Sequence, residues 1–157
     1  MERIIKRHTF NFLFRNHIIS DQQFGFVPGR STTLQLLRAL EDWTAELDSG
    51  NEVDIIYIDF QKAFDSVPHK RLLRIIEFYG IRGKTLDWIT DFLSGRKQRV
   101  IVNESHSQWA EVTSGVPQGS VLGPILFLLY INSMSNGVTS KMFYFADDAK
   151  IYRESPT

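Results

Sequence analysis

Between Lys141 and Tyr152 two strand-like runs, Lys141-Met-Phe-Tyr-Phe145 and Ala149-Lys-Ile-Tyr152, are separated only by Ala146-Asp147-Asp148. So short a connection allows a tight antiparallel hairpin and little else, with two carboxylates at its tip. A third run, Val53-Asp-Ile-Ile-Tyr-Ile-Asp59, is β-branched, aromatic and largely apolar, the pattern of a strand covered on both faces. It ends on a charge, and a charge beside buried surface is costly unless partnered. A strand end lying beside the hairpin tip would bring Asp59 and Asp147 together. Two carboxylates about 4 Å apart repel by roughly 4 kcal/mol at an effective dielectric of 20, and protonation or a hard cation relieves that repulsion. Oxygen ligands in a chain without cysteine suit Mg²⁺ or Mn²⁺. Paired ions of that kind serve in-line phosphoryl displacement. For Asp147-Asp148 taken alone, turn formation through side-chain bonds to nearby N–H groups is the other reading.

The remaining elements alternate irregularly. Ile4, Ile5, Phe12 and Leu13 mark a helix over 4–14, and Gly25-Phe-Val-Pro-Gly-Arg30 reads as a loop. Ser31 or Thr32 can cap a helix whose apolar face runs Leu34, Leu37, Leu40, Trp43, Leu47 and which stops near Ser49-Gly50. Helices follow over 70–79 and 84–93, ended by Gly80 and Gly95. Gln98–Asn103 and Gln108–Thr113 predict a hairpin around the polar Glu104–Ser107. Ser114–Ser120 is a loop feeding a helix from about Pro124 through Ile131. The class is therefore α+β with a small antiparallel sheet flanked by helices.

With 157 residues, 43% of them apolar, the chain suits one globular domain and is too apolar for disorder. Without cysteine it holds neither a disulfide scaffold nor a thiolate metal site. The run Val121–Ile131 is half of what a membrane helix needs, Gly123 and Pro124 interrupt it, and the first residues do not resemble a signal peptide. A soluble domain is expected, with no membrane contact. The 18 basic and 18 acidic residues cancel overall but are segregated: residues 41–65 hold eight acids and one lysine, whereas 1–30 and 66–100 are net basic. Two basic stretches around an acidic one suit a polyanion held beside a cation-binding carboxylate centre, although solvated helix faces produce the same pattern.

Four motifs add a resemblance. Phe-Gly-Phe-Val-Pro-Gly-Arg-Ser-Thr at 24–32, Asp59-Phe-Gln-Lys-Ala-Phe-Asp65, Gly115-Val-Pro-Gln-Gly-Ser-Val-Leu-Gly-Pro124 and Phe145-Ala-Asp-Asp148 resemble successive motifs of non-LTR (LINE-type) retrotransposon reverse transcriptases, in order and at similar spacing. The resemblance runs from about residue 2 to 153. It implies part of the fingers (about 1–50) and most of the palm (about 51–157) of a right-hand polymerase, a partial domain spanning 1–157. The reaction it implies is RNA-directed DNA synthesis, adding a dNTP to a primer 3′-hydroxyl through two Mg²⁺ ions, with an RNA template and a DNA primer as partners. Asp59 and Asp147 match the metal-binding aspartates, Phe60 the residue lending a backbone carbonyl, and Asp148 their neighbour in the acidic centre. Lys62, Ala63 and Phe64 match the backbone facing the triphosphate, with Phe64 excluding a 2′-hydroxyl. Pro117, Gln118 and Gly119 match the loop along nucleotide and template. Arg30 is carried as a nucleic-acid contact. The resemblance implies an intracellular, nuclear setting and bears on no oligomeric state.

Each of these residues also has a plainer reading, with Phe64 as a core aromatic, Asp65 as a cap or turn former, Pro117–Gly119 as a connection and Arg30 as a surface charge. His8, His17, His69 and His106 show no ligand spacing. Val27 stands where the family usually has Arg. The family's earliest finger motifs, thumb and endonuclease have no counterpart in these residues, so a fragment is expected. A catalytically inactive transposon-derived remnant or nucleic-acid-binding module is the alternative. An RNA-templated RNA polymerase palm is disfavoured by Phe64 and by Ala, not Gly, before Asp147-Asp148.

Overall fold

The computed structural model describes residues 1–155. Pro156 and Thr157, the end of the stretch expected to belong to the palm, lie outside the described residues. The elements are α1 (Glu2–Arg15), α2 (Thr32–Asp48), β1 (Glu52–Ile58), α3 (His69–Phe78), α4 (Lys84–Leu93), β2 (Lys97–Gln98), β3 (Ile101–Val102), β4 (Ser105–His106), β5 (Ala110–Glu111), α5 (Gly123–Ile131), β6 (Lys141–Phe145) and β7 (Asp148–Ser155). The α+β class with small antiparallel sheets is borne out. The chain forms two compact units, a helical one of Met1–Leu13 with Lys62–Tyr130 and a sheet-bearing one of Phe14–Gln61 with 131–155.

In the sheet unit β7 is the central strand, antiparallel to β1 on one side and to β6 on the other. Side chains alternate across a strand, and both faces carry apolar clusters. One joins Phe24, Ala39, Phe143 and Tyr152, with Trp43, Val53, Ile55 and Phe145 packed against them. The other joins Met142, Tyr144 and Ala149, with Ile58, Ile131, Met134 and Ile151. Phe24 meets Phe143 edge-on at 5.8 Å, and Trp43 meets Tyr152 at 5.7 Å. The Tyr152 hydroxyl donates to Asp42, and burial, reinforced by that carboxylate, pushes the phenol above its ordinary pKa.

Two expectations are corrected here. β1 is an edge strand, not one covered on both faces: Ile56 and Tyr57 are 61% and 66% exposed. Helix α2 begins as expected, with Ser31 Oγ accepting from Leu34 N at 3.2 Å. Its leucine stripe nevertheless faces outward, with Leu34, Leu37, Leu40 and Leu47 all exposed, while Gln35 and Ala39 are buried. The sheet face beneath α2 is already filled by the aromatics Phe24, Phe143 and Tyr152, so a small residue, Ala39, makes the close approach.

The helical unit is organised by α5, in which Ile125, Leu126, Phe127, Leu128 and Leu129 are each at most 1% exposed. A helix apolar all round is a core helix. Its entry is capped by Ser120 Oγ, which accepts from Gly123 N at 2.9 Å. Glu2 Oε2 accepts from Val121 N at 2.9 Å and Leu122 N at 3.1 Å. α3 and α4 contact each other and bury Leu72, Ile76, Ile89 and Leu93. The predicted hairpin forms, but its turn is Asn103-Glu104, both at positive φ (45° and 63°), and not Glu104–Ser107. A two-residue turn with both φ positive matches strand twist better than the longer loop. Among the described residues no helix is long and apolar enough to cross a membrane.

Leu126→Ala should lower unfolding free energy by about 2–5 kcal/mol, whereas Leu37→Ala, at 57% exposed, should change it by less than about 0.5 kcal/mol. Denaturant titration of both variants checks this. A large loss at Leu37 would mean that the outward stripe is buried after all.

Candidate active site

The sheet register decides where the acidic residues fall. β1 pairs with β7 as far as Ile58↔Ala149, and β6 pairs with β7 as far as Phe145↔Asp148. β1 ends at Ile58, and Asp59 is the residue that follows it, next in the chain to the partner of Ala149, as Asp148 is next to Ala149. The connection between β6 and β7 is two residues, Ala146-Asp147; Asp148 already belongs to β7 and is not part of the turn. Asp59 and Asp148 are exposed, Asp147 is half-buried and Phe60 is 42% exposed. Among the described residues, no three or more His, Cys, Asp or Glu side chains gather closely enough to hold a metal ion. The acidic residues are thus neighbours by register without forming a closed cage.

The turn is braced by residues that carry no functional signal in the sequence. Ala146 sits at φ 55°, a conformation disfavoured for a residue with a Cβ, and is 4% exposed. Residues 22–24 run alongside β6: Tyr144 N donates to Gln22 O at 3.0 Å and Phe24 N to Tyr144 O at 2.8 Å. Gln23, 1% exposed, accepts through Oε1 from Gly25 N at 2.6 Å and Ala146 N at 2.9 Å. A Cβ on Gly25 would stand 2.3 Å from Ala146 N, so only glycine permits the approach. A buried, uncharged glutamine leaves no signal in charge or periodicity; the nearby Gly25 was the only hint.

Arg30 is held by its own loop. Nη1 donates to Ser20 O at 2.7 Å and Gln23 O at 2.6 Å, and Nη2 donates to Asp21 Oδ1 at 2.8 Å. Val27, at the position where the resembled family usually has Arg, is 4% exposed.

Lys62, Ala63, Phe64, Pro117, Gln118 and Gly119 all lie in the helical unit. Lys62 O accepts from Asp65 N and Ser66 N, closing a tight turn in which Lys62 has φ 51°. That turn is tied to the loop that follows β5. Val116 N donates to Phe64 O at 2.9 Å, Ser114 Oγ to Asp65 O at 2.8 Å and Gln118 Nε2 to Asp65 Oδ1 at 2.8 Å. The aspartate therefore serves as a brace between turn and loop. Phe64 is half-buried, its ring stacked on Phe127 at 3.9 Å and 15°. Gly115 O accepts from Arg96 Nη2 at 2.9 Å. His69 Nε2 lies 2.9 Å from the same carbonyl, which can only accept, so that nitrogen carries the proton. Burial lowers the pKa of Arg96. A groove of about 610 Å³ opens beside this assembly, lined by Lys62, Asp65, Arg96, Gln98 and Gln118 among others.

The family model of the reverse transcriptases (RNA-dependent DNA polymerases) matches residues 1–157, and the chain belongs to that family. Its relatives are polymerases of non-LTR retrotransposons, in line with the resemblance carried by the four motifs. The probable RNA-directed DNA polymerase from transposon BS of Drosophila melanogaster is 32% identical over 82% of this chain. The one from transposon X-element of the same fly is 33% identical over 85%. The RNA-directed DNA polymerase of the mobile element jockey from Drosophila funebris is 31% identical over 87%. The chain spans only 14–15% of the length of these relatives. A solved telomerase from Candida tropicalis, in complex with the TWJ fragment of telomeric RNA, has a similar fold, with TM-score 0.69 and 14% identity over 95% of this chain and 28% of that one.

Gly115 has φ 85° and an added Cβ would lie 2.8 Å from Asp65 backbone atoms, whereas Gly119, at φ 76°, has open space. Gly119→Ala should therefore cost about 1 kcal/mol from backbone conformation alone. Gly115→Ala should cost clearly more, because turn and loop must also separate. Thermal unfolding of the two variants gives the comparison, and equal losses would contradict the close approach.

Proposed function

We propose that the chain supplies the fingers side (about 1–50) and the palm (about 51–157) of an RNA-directed DNA polymerase, acting on dNTP, DNA primer and RNA template. Asp59, Asp147 and Asp148, with the Phe60 carbonyl, are its Mg²⁺-binding set, with Mn²⁺ as a substitute. The observation that supports the reading is the register of β1 and β6 on β7, in which Ile58, just before Asp59, pairs with Ala149 and Phe145 pairs with Asp148.

The donor set suits the ion: hard oxygens only, few protein ligands and an exposed position. Mg²⁺ is commonly held by one or two carboxylates together with substrate phosphates, not by an all-protein cage. Ions bound there would lower the pKa of the primer 3′-hydroxyl and neutralise charge on the departing pyrophosphate. The chain's own groups do the positioning. Successive N–H groups of Lys62, Ala63 and Phe64 in a turn form an anion-binding concavity for the triphosphate. Phe64, stacked on Phe127, presents a fixed ring edge where a 2′-hydroxyl would clash. Pro117, Gln118 and Gly119 form the wall along nucleotide and template, with Gln118 fixed by Asp65. Arg30, held in place by the loop before α2, is the proposed nucleic-acid contact. The alternative of an inactive remnant or binding module is not favoured by relatives that are polymerases by name.

Within a polypeptide of the relatives' length, Asp59→Asn or Asp147→Asn should reduce primer extension to below about a tenth of wild type. Retention of more than that would remove those residues from the ion site. Phe64→Ala or Phe64→Val should relax discrimination against ribonucleotides in the same assay. An unchanged preference would make Phe64 a packing residue only.

A further inference from the structure

We propose that Gln23 is a positioning residue for the Asp147-Asp148 segment, its side-chain oxygen holding the turn in the conformation that ion binding needs. The inference rests on the reading that these aspartates bind divalent ions. A polar side chain this deeply buried needs a hydrogen-bonding reason to be there. Two backbone donors, Gly25 N and Ala146 N, converge on one side of the amide, so that side must be Oε1. The opposite atom, Nε2, is buried without a hydrogen-bond partner among the described residues. The amide is thus retained for its acceptor, at the expense of an unmet donor. Unsatisfied groups and strained backbone both persist where the surroundings over-determine them, and they cluster at functional sites. Here they coincide: Ala146, whose N–H Gln23 receives, is the strained residue immediately before Asp147.

Without that acceptor, Ala146 N–H would be buried and unpaired, and the simplest relief is rotation of the Ala146 and Asp147 peptide planes. Such a rotation redirects the Asp147 carboxylate while leaving β6, β7 and their register in place. Gln23 touches no proposed substrate or ion; it acts through the turn.

The test measures Mn²⁺ binding to the full chain by electron paramagnetic resonance, together with amide hydrogen exchange at Ala146. The proteins are wild type, Gln23→Met, Gln23→Glu and Asp147→Asn. Wild type should bind Mn²⁺ in a manner that Asp147→Asn abolishes. Gln23→Met, similar in length but without an acceptor, should weaken that binding about tenfold or more and speed Ala146 exchange, while Gln23→Glu, which keeps the acceptor, should stay within about threefold of wild type. If Gln23→Met does not fold, Gln23→Asn, with its acceptor withdrawn by one methylene, carries the same expectation. Asp147-dependent binding that survives loss of the acceptor would overturn the positioning role and leave the ion site standing. Absence of Asp147-dependent binding in wild type would overturn both.

Discussion

A strand hydrogen-bonded on both of its edges is what the rest of this molecule's chemistry depends on. β7 pairs with β1 and with β6, and each pairing fixes a register that cannot slip by one residue without turning every side chain to the opposite face. Both faces of the sheet carry apolar clusters, so such a slip would send each set to the face packed for the other. The positions of Asp59, Asp147 and Asp148 relative to one another are therefore consequences of packing many residues away. Ile55, Tyr152 and Phe143 on one face, and Ile58, Ala149 and Tyr144 on the other, hold the acids as effectively as any direct contact could.

The same economy recurs wherever two backbone segments touch. Gly25 lies against Ala146, and Gly115 lies against Asp65, each with no space for a Cβ. In both places a polar side chain supplies the link that the missing Cβ makes possible: Gln23 to Ala146 N, and Gln118 to Asp65. The loop of residues 22–30 and the loop of residues 114–119 thus work as rigid backings for short turns. That rigidity matters because a turn alone has few contacts to resist rotation. It also explains why Arg30 is used inside its loop and why Val27 is buried there.

Much of this was legible in the sequence. The hairpin at 141–152, the Ser31 cap, the helices after Pro68 and Gly83 and the buried helix after Gly123 follow from turn chemistry and periodicity, and the four motifs carry the family. What failed had a common cause. The stripe of Leu34, Leu37, Leu40 and Leu47 is a regular apolar face, and periodicity reports that a face exists without saying which side meets the core. The decision was made by Ala39 fitting against aromatics from three other segments, which no local window contains. The apolar run of β1, Ile56 and Tyr57 included, suggests a strand covered on both faces, yet an edge strand can carry exposed apolar residues. Gln23 was missed because its importance lies in two backbone donors far apart in sequence.

The open arrangement of the acids accords with the proposed chemistry. Three carboxylates gathered into a finished cage would satisfy an ion completely and would repel a triphosphate approaching it. Two register neighbours and a third on the adjoining turn leave coordination positions to be filled by the substrate's own phosphates. In the proposed site the nucleotide would add ligands to those of the chain and strengthen ion binding, which couples the two. Such coupling demands that the carboxylates wait in the right orientation without an ion to organise them. The clamp on Ala146 and the doubly paired β7 would supply that waiting geometry in the proposed site, so that the cost of ordering it is met when the chain folds and not when the nucleotide arrives.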